Sequence, residues 1–467
     1  MNAHQLEREV GETLRTWPLD DVRAPADLAD RVAARHRRRN RVLAGGVSAA
    51  TVVALAVGTL LAVAPGDGGR FDRPAGETPA GWRAWSTEVR VEGGVAGCLL
   101  DGGALYCEGR LSGPFKLDAD TGKLLWKLPV NKDGNGASVF RPIGVSDGAL
   151  LTVRDAPEEN TDRSQWTPTE LVAVDTDTGE TLWTRRPTGG QILRDDATLV
   201  AGRFVVIDGR YAETGPDGEK PQVTISALDP RTGDAVWQRP WNPGDLCDAG
   251  EALNDALYFT CRAYEAPRDT TIARLDPETG AVATVATLRG PYLYNGTTGD
   301  ALVLEREVDD STTERQESGL AVVGFSGEVR TVELADRITP EAGDIAGETL
   351  FTVGARSRAT GVSVTTGETE WTADLGLKKS QAPDFLPFSG DPTTEFDTER
   401  RIAYVMGPEG DLVAVDTHDG RELWRGEVDP PEYKERFGYE PVLVRYGNVL
   451  ITCVEGRFES FLPEIGR

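Results

Sequence analysis

The chain has 467 residues, 53 of them Gly and 28 Pro, so it is long enough for several ordinary domains or for one long repeat structure, and length alone forces no division. Its formal net charge of −26 is uneven: residues 1–41 carry 9 basic and 7 acidic side chains, residues 42–64 carry none, and the remainder carries 41 basic against 69 acidic. A body this acidic repels phosphate backbones and anionic headgroups, which argues against nucleic acid as a partner.

In chain order, Leu6, Val10 and Leu14 recur at a spacing of four and predict a short amphipathic helix that Pro18 ends. Pro25 suits the first turn of a second helix, ADLADRVAARHRRRNR. Residues 1–41 therefore read as a cytoplasmic helical juxtamembrane segment. Residues 42–64, VLAGGVSAATVVALAVGTLLAVA, are uncharged and long enough for a transmembrane helix across a hydrocarbon core of roughly 30 Å. Arg35, Arg37, Arg38, Arg39 and Arg41 precede it and hold the N-terminus in the cytoplasm, so the C-terminal body is exported. Ala62-Val63-Ala64 resembles a cleavage site. A signal peptide fits less well, because the apolar run exceeds the usual ~7–15 residues and the basic region before it is too long. Residues 65–81 read as a linker.

From there the chain repeats itself. The phrase reads LDADTGKLLW at 117–126, VDTDTGETLW at 174–183, LDPRTGDAVW at 228–237 and VDTHDGRELW at 415–424. Weaker copies are LDPETGAVAT at 275–284, GFSGEVRTV at 324–332 and VSVTTGETEW at 362–371. The turn glycines are Gly122, Gly179, Gly233, Gly280, Gly327, Gly367 and Gly420, at gaps of 40 to 57 residues. A fixed phrase with variable inserts at this period marks a repeat architecture. Each unit reads as a hairpin, an alternating strand, a D-x-x-T-G turn and a strand with Trp four residues past the Gly. Four antiparallel strands per unit make a propeller blade.

The last hairpin, 441–453, is followed by a single strand at 457–462, whereas 81–89 holds a Trp and has no hairpin of its own. The N-terminal strand thus completes the final blade and leaves no free sheet edge. The expectation is an all-β, eight-bladed β-propeller over 82–462, with a tail at 463–467. Blades 5 and 6 carry weak copies, so seven blades is the alternative. Trp85, Trp126, Trp183, Trp237, Trp371 and Trp424 are the expected docking side chains between blades. One face of such a ring carries only short turns. The long inserts (129–141, 154–169, 209–221, 239–246, 305–318, 376–396 and 428–440) fall on the opposite face, where binding residues tend to sit.

Cys98 and Cys107 flank the tip of one hairpin, and Cys247 and Cys261 flank another, which predicts two disulfides on an exported body. Cys453 has no Cys opposite and reads as a lone buried thiol. No C-x-x-C exists and none of His4, His36 and His418 pairs with a Cys, so no metal site is expected.

The phrase A-x-D-x-x-T-G-x-x-x-W resembles the tryptophan-docking repeat of the pyrroloquinoline-quinone-like β-propellers, which include quinoprotein alcohol dehydrogenases and the propeller lipoprotein of the outer-membrane assembly machine. For the enzymes the resemblance implies an adjacent Cys-Cys disulfide, a calcium ion and a catalytic Asp. This chain has no Cys-Cys pair, and no motif matches the calcium ligands or that Asp. No catalytic, cofactor-binding or metal residue is therefore carried over, and no lipidation Cys follows the apolar run. The resulting expectation is a membrane-anchored, extracytoplasmic binding or scaffold module rather than an enzyme. It would engage a protein or envelope ligand on the long-loop face. Two alternatives are a quinone- or metal-dependent oxidoreductase, and a signalling protein whose cytoplasmic helices hold a regulator.

Overall fold

The computed structural model describes residues 78–91, 94–109, 113–129, 142–156, 169–188, 196–209, 222–241, 246–253, 256–262, 269–306, 319–334, 342–354, 357–378, 392–428, 441–454 and 456–465. The expected cytoplasmic segment, the span at 42–64, nearly all of the linker and most of each long insert lie outside these residues. Among the described residues no helix is long and apolar enough to cross a membrane.

Alternating apolar strands of three to eight residues pair into eight four-stranded antiparallel sheets. Blade 1 covers 95–127, blade 2 144–185, blade 3 197–240, blade 4 246–288, blade 5 292–333, blade 6 342–374 and blade 7 393–427. Blade 8 combines 442–461 with the strand Trp85–Glu88, which pairs antiparallel with Arg457–Phe461. The count is eight. The blades without an indole on the outermost strand are 4 and 5, whereas blade 6 is complete with Trp371. In blades 1 to 7 the chain runs from the innermost strand outward, and the innermost strands of neighbouring blades approach one another around a common axis.

Successive side chains of a strand point to opposite sides of the sheet. In blade 3, Phe204 and Val206 pack towards blade 2, while Val205 and Ile207 pack towards blade 4. Each apolar cluster bridges one pair of neighbours, and the junction between blades 8 and 1 closes around Leu105, Phe115, Ile451 and Phe458. The core is thus a ring of junctions. The first described strand supplies the outermost strand of blade 8, which thereby has four strands like the others.

The turns sort the two faces of the ring. Ala119, in the turn between the third and fourth strands of blade 1, donates its N–H to the Gly103 carbonyl in the turn between the first and second. Thr176 with Gly148, Val364 with Glu348 and Thr417 with Arg401 repeat the contact. Both turn types therefore share one face, here called the turn face. Except for 254–255, every internal segment outside the described residues joins strand ends on the opposite face, here called the insert face.

Candidate binding face

The repeated phrase is turn chemistry. The Asp175 carboxylate accepts from the Thr178 backbone N–H at 3.0 Å, and Gly179, at φ 76°, donates to the Asp175 carbonyl at 2.9 Å. These amides hold the Asp175 carboxyl below its usual range, with the Thr178 N–H the largest cause. Asp229 and Asp276 are lowered likewise, led by the N–H groups of Thr232 and Thr279. A carboxylate held by its own turn is a structural acceptor.

The glycine also seats the neighbour's tryptophan. A Cβ on Gly122 would lie 2.3 Å from the Trp85 ring, and one on Gly420 2.4 Å from Trp371. Trp126 covers Gly179, Trp183 covers Gly233 and Trp237 covers Gly280 in the same way. Each of these indoles donates Nε1–H to a carbonyl of the turn beneath it: Trp85 to Ala119, Trp126 to Thr176, Trp183 to Pro230, Trp237 to Pro277 and Trp371 to Thr417, at 2.9–3.0 Å. Trp424 differs because blade 8 has no turn between its third and fourth strands. It stacks instead on Phe461 of blade 8, with ring centroids 5.7 Å apart.

A feature that sequence reading missed aims these rings, except Trp85, whose strand pairs without a bulge. In blade 3 the register passes from Leu228↔Ala235 to Ala227↔Trp237, so Val236 is an extra, bulged residue just before the indole. Blades 1, 2, 6 and 7 bulge at the equivalent place, at Leu125, Leu182, Glu370 and Leu423. A bulge bends the strand and redirects the next side chain. In blade 4 the shift lies further along, at Val285, and blade 5 has none there. Thr284 and Thr331 stand four residues past the turn glycine, the spacing at which blades 1, 2, 3, 6 and 7 carry Trp. At the junction of blades 4 and 5, Phe325 packs on Tyr258 at 5.3 Å. At the junction of blades 5 and 6, the Glu333 carbonyl and Val332 press on Gly367, and an open cleft of about 580 Å3 lies beside them, lined by Arg330, Thr331, Glu333, Thr365 and Glu368.

On the insert face, buried acids brace the strand ends. Glu108 accepts from the Thr152 hydroxyl across blades 1 and 2. Glu170 takes Arg154 at 2.6 Å and Arg186 at 3.8 Å. Asp208 accepts the Thr188 N–H at 2.7 Å, and one Asp411 oxygen accepts the Lys378 N–H at 2.9 Å. Glu305, which accepts from Asn295 at 3.1 Å, has its pKa raised by burial. These carboxylates are turned inward and hold the frame from which the inserts leave. Their partners lie up to 44 residues away, so no local sequence signal marks them.

Both predicted disulfides are present, Cys98–Cys107 and Cys247–Cys261, each between directly paired residues of the first two strands of a blade. Cys453 is free and buried, and burial pushes its thiol up to about 12. Among the described residues no group of three or more His, Cys, Asp and Glu is placed to hold a metal ion.

A family model described as the outer membrane protein assembly factor BamB matches residues 69–256 and again 222–462. Quinoprotein ethanol dehydrogenase of Pseudomonas putida is 27% identical over 187 residues, 36% of this chain and 26% of that protein. Quinohemoprotein alcohol dehydrogenase ADH-IIG of Pseudomonas putida is 30% identical over 173 residues, 35% of this chain and 22% of that protein. The match thus spans about a quarter of the length of these relatives. Among solved structures, BamB from Moraxella catarrhalis aligns with a TM-score of 0.45 at 15% identity, over 80% of this chain and 98% of that one. Quinohemoprotein alcohol dehydrogenase from Comamonas testosteroni aligns with a TM-score of 0.47 at 13% identity, over 82% of this chain and 78% of that one.

Proposed function

Because this chain belongs to the PQQ-like β-propeller family of the outer membrane protein assembly factor BamB, we propose that it is a binding or scaffold module. It is anchored by residues 42–64, exported, and engages a protein partner through the insert face. One observation carries this reading. The turn face is closed by short turns bonded to themselves, whereas the variable segments gather on the other side of a braced ring. Variable segments on a rigid frame are the usual site of recognition.

Photo-crosslinking side chains at Arg289, on the insert face, and at Glu278, on the turn face, test it in the cell's own membrane. The reading expects a discrete protein adduct from Arg289 and none from Glu278. An adduct confined to Glu278, or none from either, overturns it. The kinship with the two dehydrogenases supports a second reading, a quinone-dependent oxidoreductase. Incubation with pyrroloquinoline quinone and calcium tests it: a bound chromophore with dye-linked alcohol oxidation supports it, and the absence of both rejects it.

A further inference from the structure

The point at which the chain joins the ring sets how the ring faces its membrane. Trp82 donates its N–H to the Pro79 carbonyl at 3.2 Å and its Nε1–H to the Ser460 hydroxyl at 2.6 Å. Arg83 donates its backbone N–H to the Asp120 carbonyl at 3.4 Å, and Trp85 donates Nε1–H to the Ala119 carbonyl at 2.9 Å. Ala119 and Asp120 belong to the blade 1 turn whose glycine, Gly122, carries the Trp85 ring. Both lie on the turn face. From Trp85, opposite Ser460, the strand climbs to Glu88, opposite Arg457, and so reaches the insert face. The N-terminal segment therefore meets the propeller at the turn face and on its rim, where two tryptophans fix it.

Fourteen residues, 65–78, separate the charge-free run from Pro79. Such a length reaches about 50 Å when fully extended and about 20 Å as a relaxed Gly-rich chain. A strand of six residues is itself about 20 Å tall. Turning the ring over would require the tether to climb that height before it could leave. A relaxed tether is used up by the climb alone.

We infer that the propeller stands with its turn face towards the bilayer and its insert face away from it, so that a protein partner of the insert face arrives from the exported space and not from the plane of the membrane. This rests on the anchored reading of residues 42–64 given above. It adds the orientation that the anchor by itself leaves open.

Blade 4 lies across the ring from blade 8 and offers two exposed probes at the two ends of its height. Glu278 stands in its turn-face turn, and Arg289 in its connection to blade 5 on the insert face. The full chain, carrying Glu278→Cys or Arg289→Cys, is labelled with a donor dye and reconstituted in phosphatidylcholine vesicles with acceptor-labelled headgroups. Cys453 is buried and does not compete for the dye. Over a height of about 20 Å, energy transfer from position 278 should exceed that from 289 by roughly twofold or more. Equal or reversed transfer from a chain that co-sediments with the vesicles overturns the orientation alone. A chain that does not co-sediment overturns the anchored reading, and the orientation with it.

Discussion

Five junctions of this ring are made by an indole laid over a glycine turn, the one after blade 7 by an indole stacked on Phe461, and the two that follow blades 4 and 5 have no indole. The contrast separates what the fold requires from what it prefers. Every junction has an apolar seam of inner and middle strands, so sheet-on-sheet packing closes the ring throughout. The indole adds a clamp at the rim and, except at Trp85 of blade 8, comes with a bulge that points it. Where the bulge shifts or is absent, Thr284 and Thr331 are tolerated, and a backbone carbonyl (of Val285 over Gly327, of Glu333 over Gly367) rests on the turn. The left-handed glycine survives in both kinds of junction, since φ at Gly327 and Gly367 is 96° and 76°. The turn is the constant demand and the tryptophan the optional one.

The sharpest way to break this comparison is truncation on both sides of it. Trp371→Ala should destabilise by about 3–5 kcal/mol, as expected for a buried aromatic. Thr331→Ala, on the exposed rim of blade 5, should stay within about 0.5 kcal/mol. Urea midpoints with unchanged m-values measure both, and similar losses at the two positions would erase the distinction. Next in size is Gly420→Ala, whose Cβ would meet Trp371 at 2.4 Å on a backbone of φ 70°. About 2–4 kcal/mol is expected, from overpacking and left-handed strain together. In a Trp371→Ala background the overpacking part should vanish. A double-mutant cycle reads that coupling, and strict additivity would show that the ring does not rest on the glycine.

Acid sharpens the contrast more gently. Asp175, Asp229 and Asp276 titrate below their ordinary value in the folded state. Their contribution is therefore present above the ordinary range near pH 4 and lost as pH falls through the lowered folded values. In blade 6, Ser363 occupies the Asp position and accepts from the Thr366 N–H at 3.3 Å, leaving nothing there to titrate. The triple change Asp175→Ser, Asp229→Ser, Asp276→Ser should flatten the fall in the denaturation midpoint below pH 4. An unchanged slope would place the acid sensitivity elsewhere. The smallest effect should come from adding what blade 5 lacks. Thr331→Trp alone should gain under about 0.5 kcal/mol, because a strand without the bulge does not turn the ring onto Gly367. One residue inserted before it should raise the gain, and a full gain without insertion would show the bulge to be incidental.

Much of this was legible in the sequence because the repeat names its own parts. D-x-x-T-G states a turn, its Gly states the left-handed position, and a Trp four residues on states a packing contact. The orphan strand at 81–89 stated the closure, and facing Cys residues stated both disulfides. The bulges were not legible, since Leu125, Leu182, Val236 and Leu423 look like ordinary strand residues and Glu370 shows that the place demands no side-chain type. They arise from the need to aim a side chain at a neighbouring sheet. The division between good and poor junctions was misplaced for the same reason. VSVTTGETEW looks weak because Ser363 replaces Asp, yet its turn and indole are complete. LDPETGAVAT looks better, and it ends in a strand that carries no clamp. The bracing acids of the insert face were invisible because Glu108 and Thr152 meet only through the packing of two blades.

The strand that closes the ring has a consequence in time. Trp85–Glu88 is made before any other strand of the propeller, and its partner, Arg457–Phe461, is the last strand to be made. Blades can form in the order in which the chain emerges, as local meanders do. The first strand, however, waits through the synthesis of all seven intervening blades before it finds its place. A product that stops short of Phe461 keeps two unpaired edges, one at each end of an open arc, and displays the apolar seam of Leu105, Phe115 and Ile451. Closure thereby reports that all eight blades have been made.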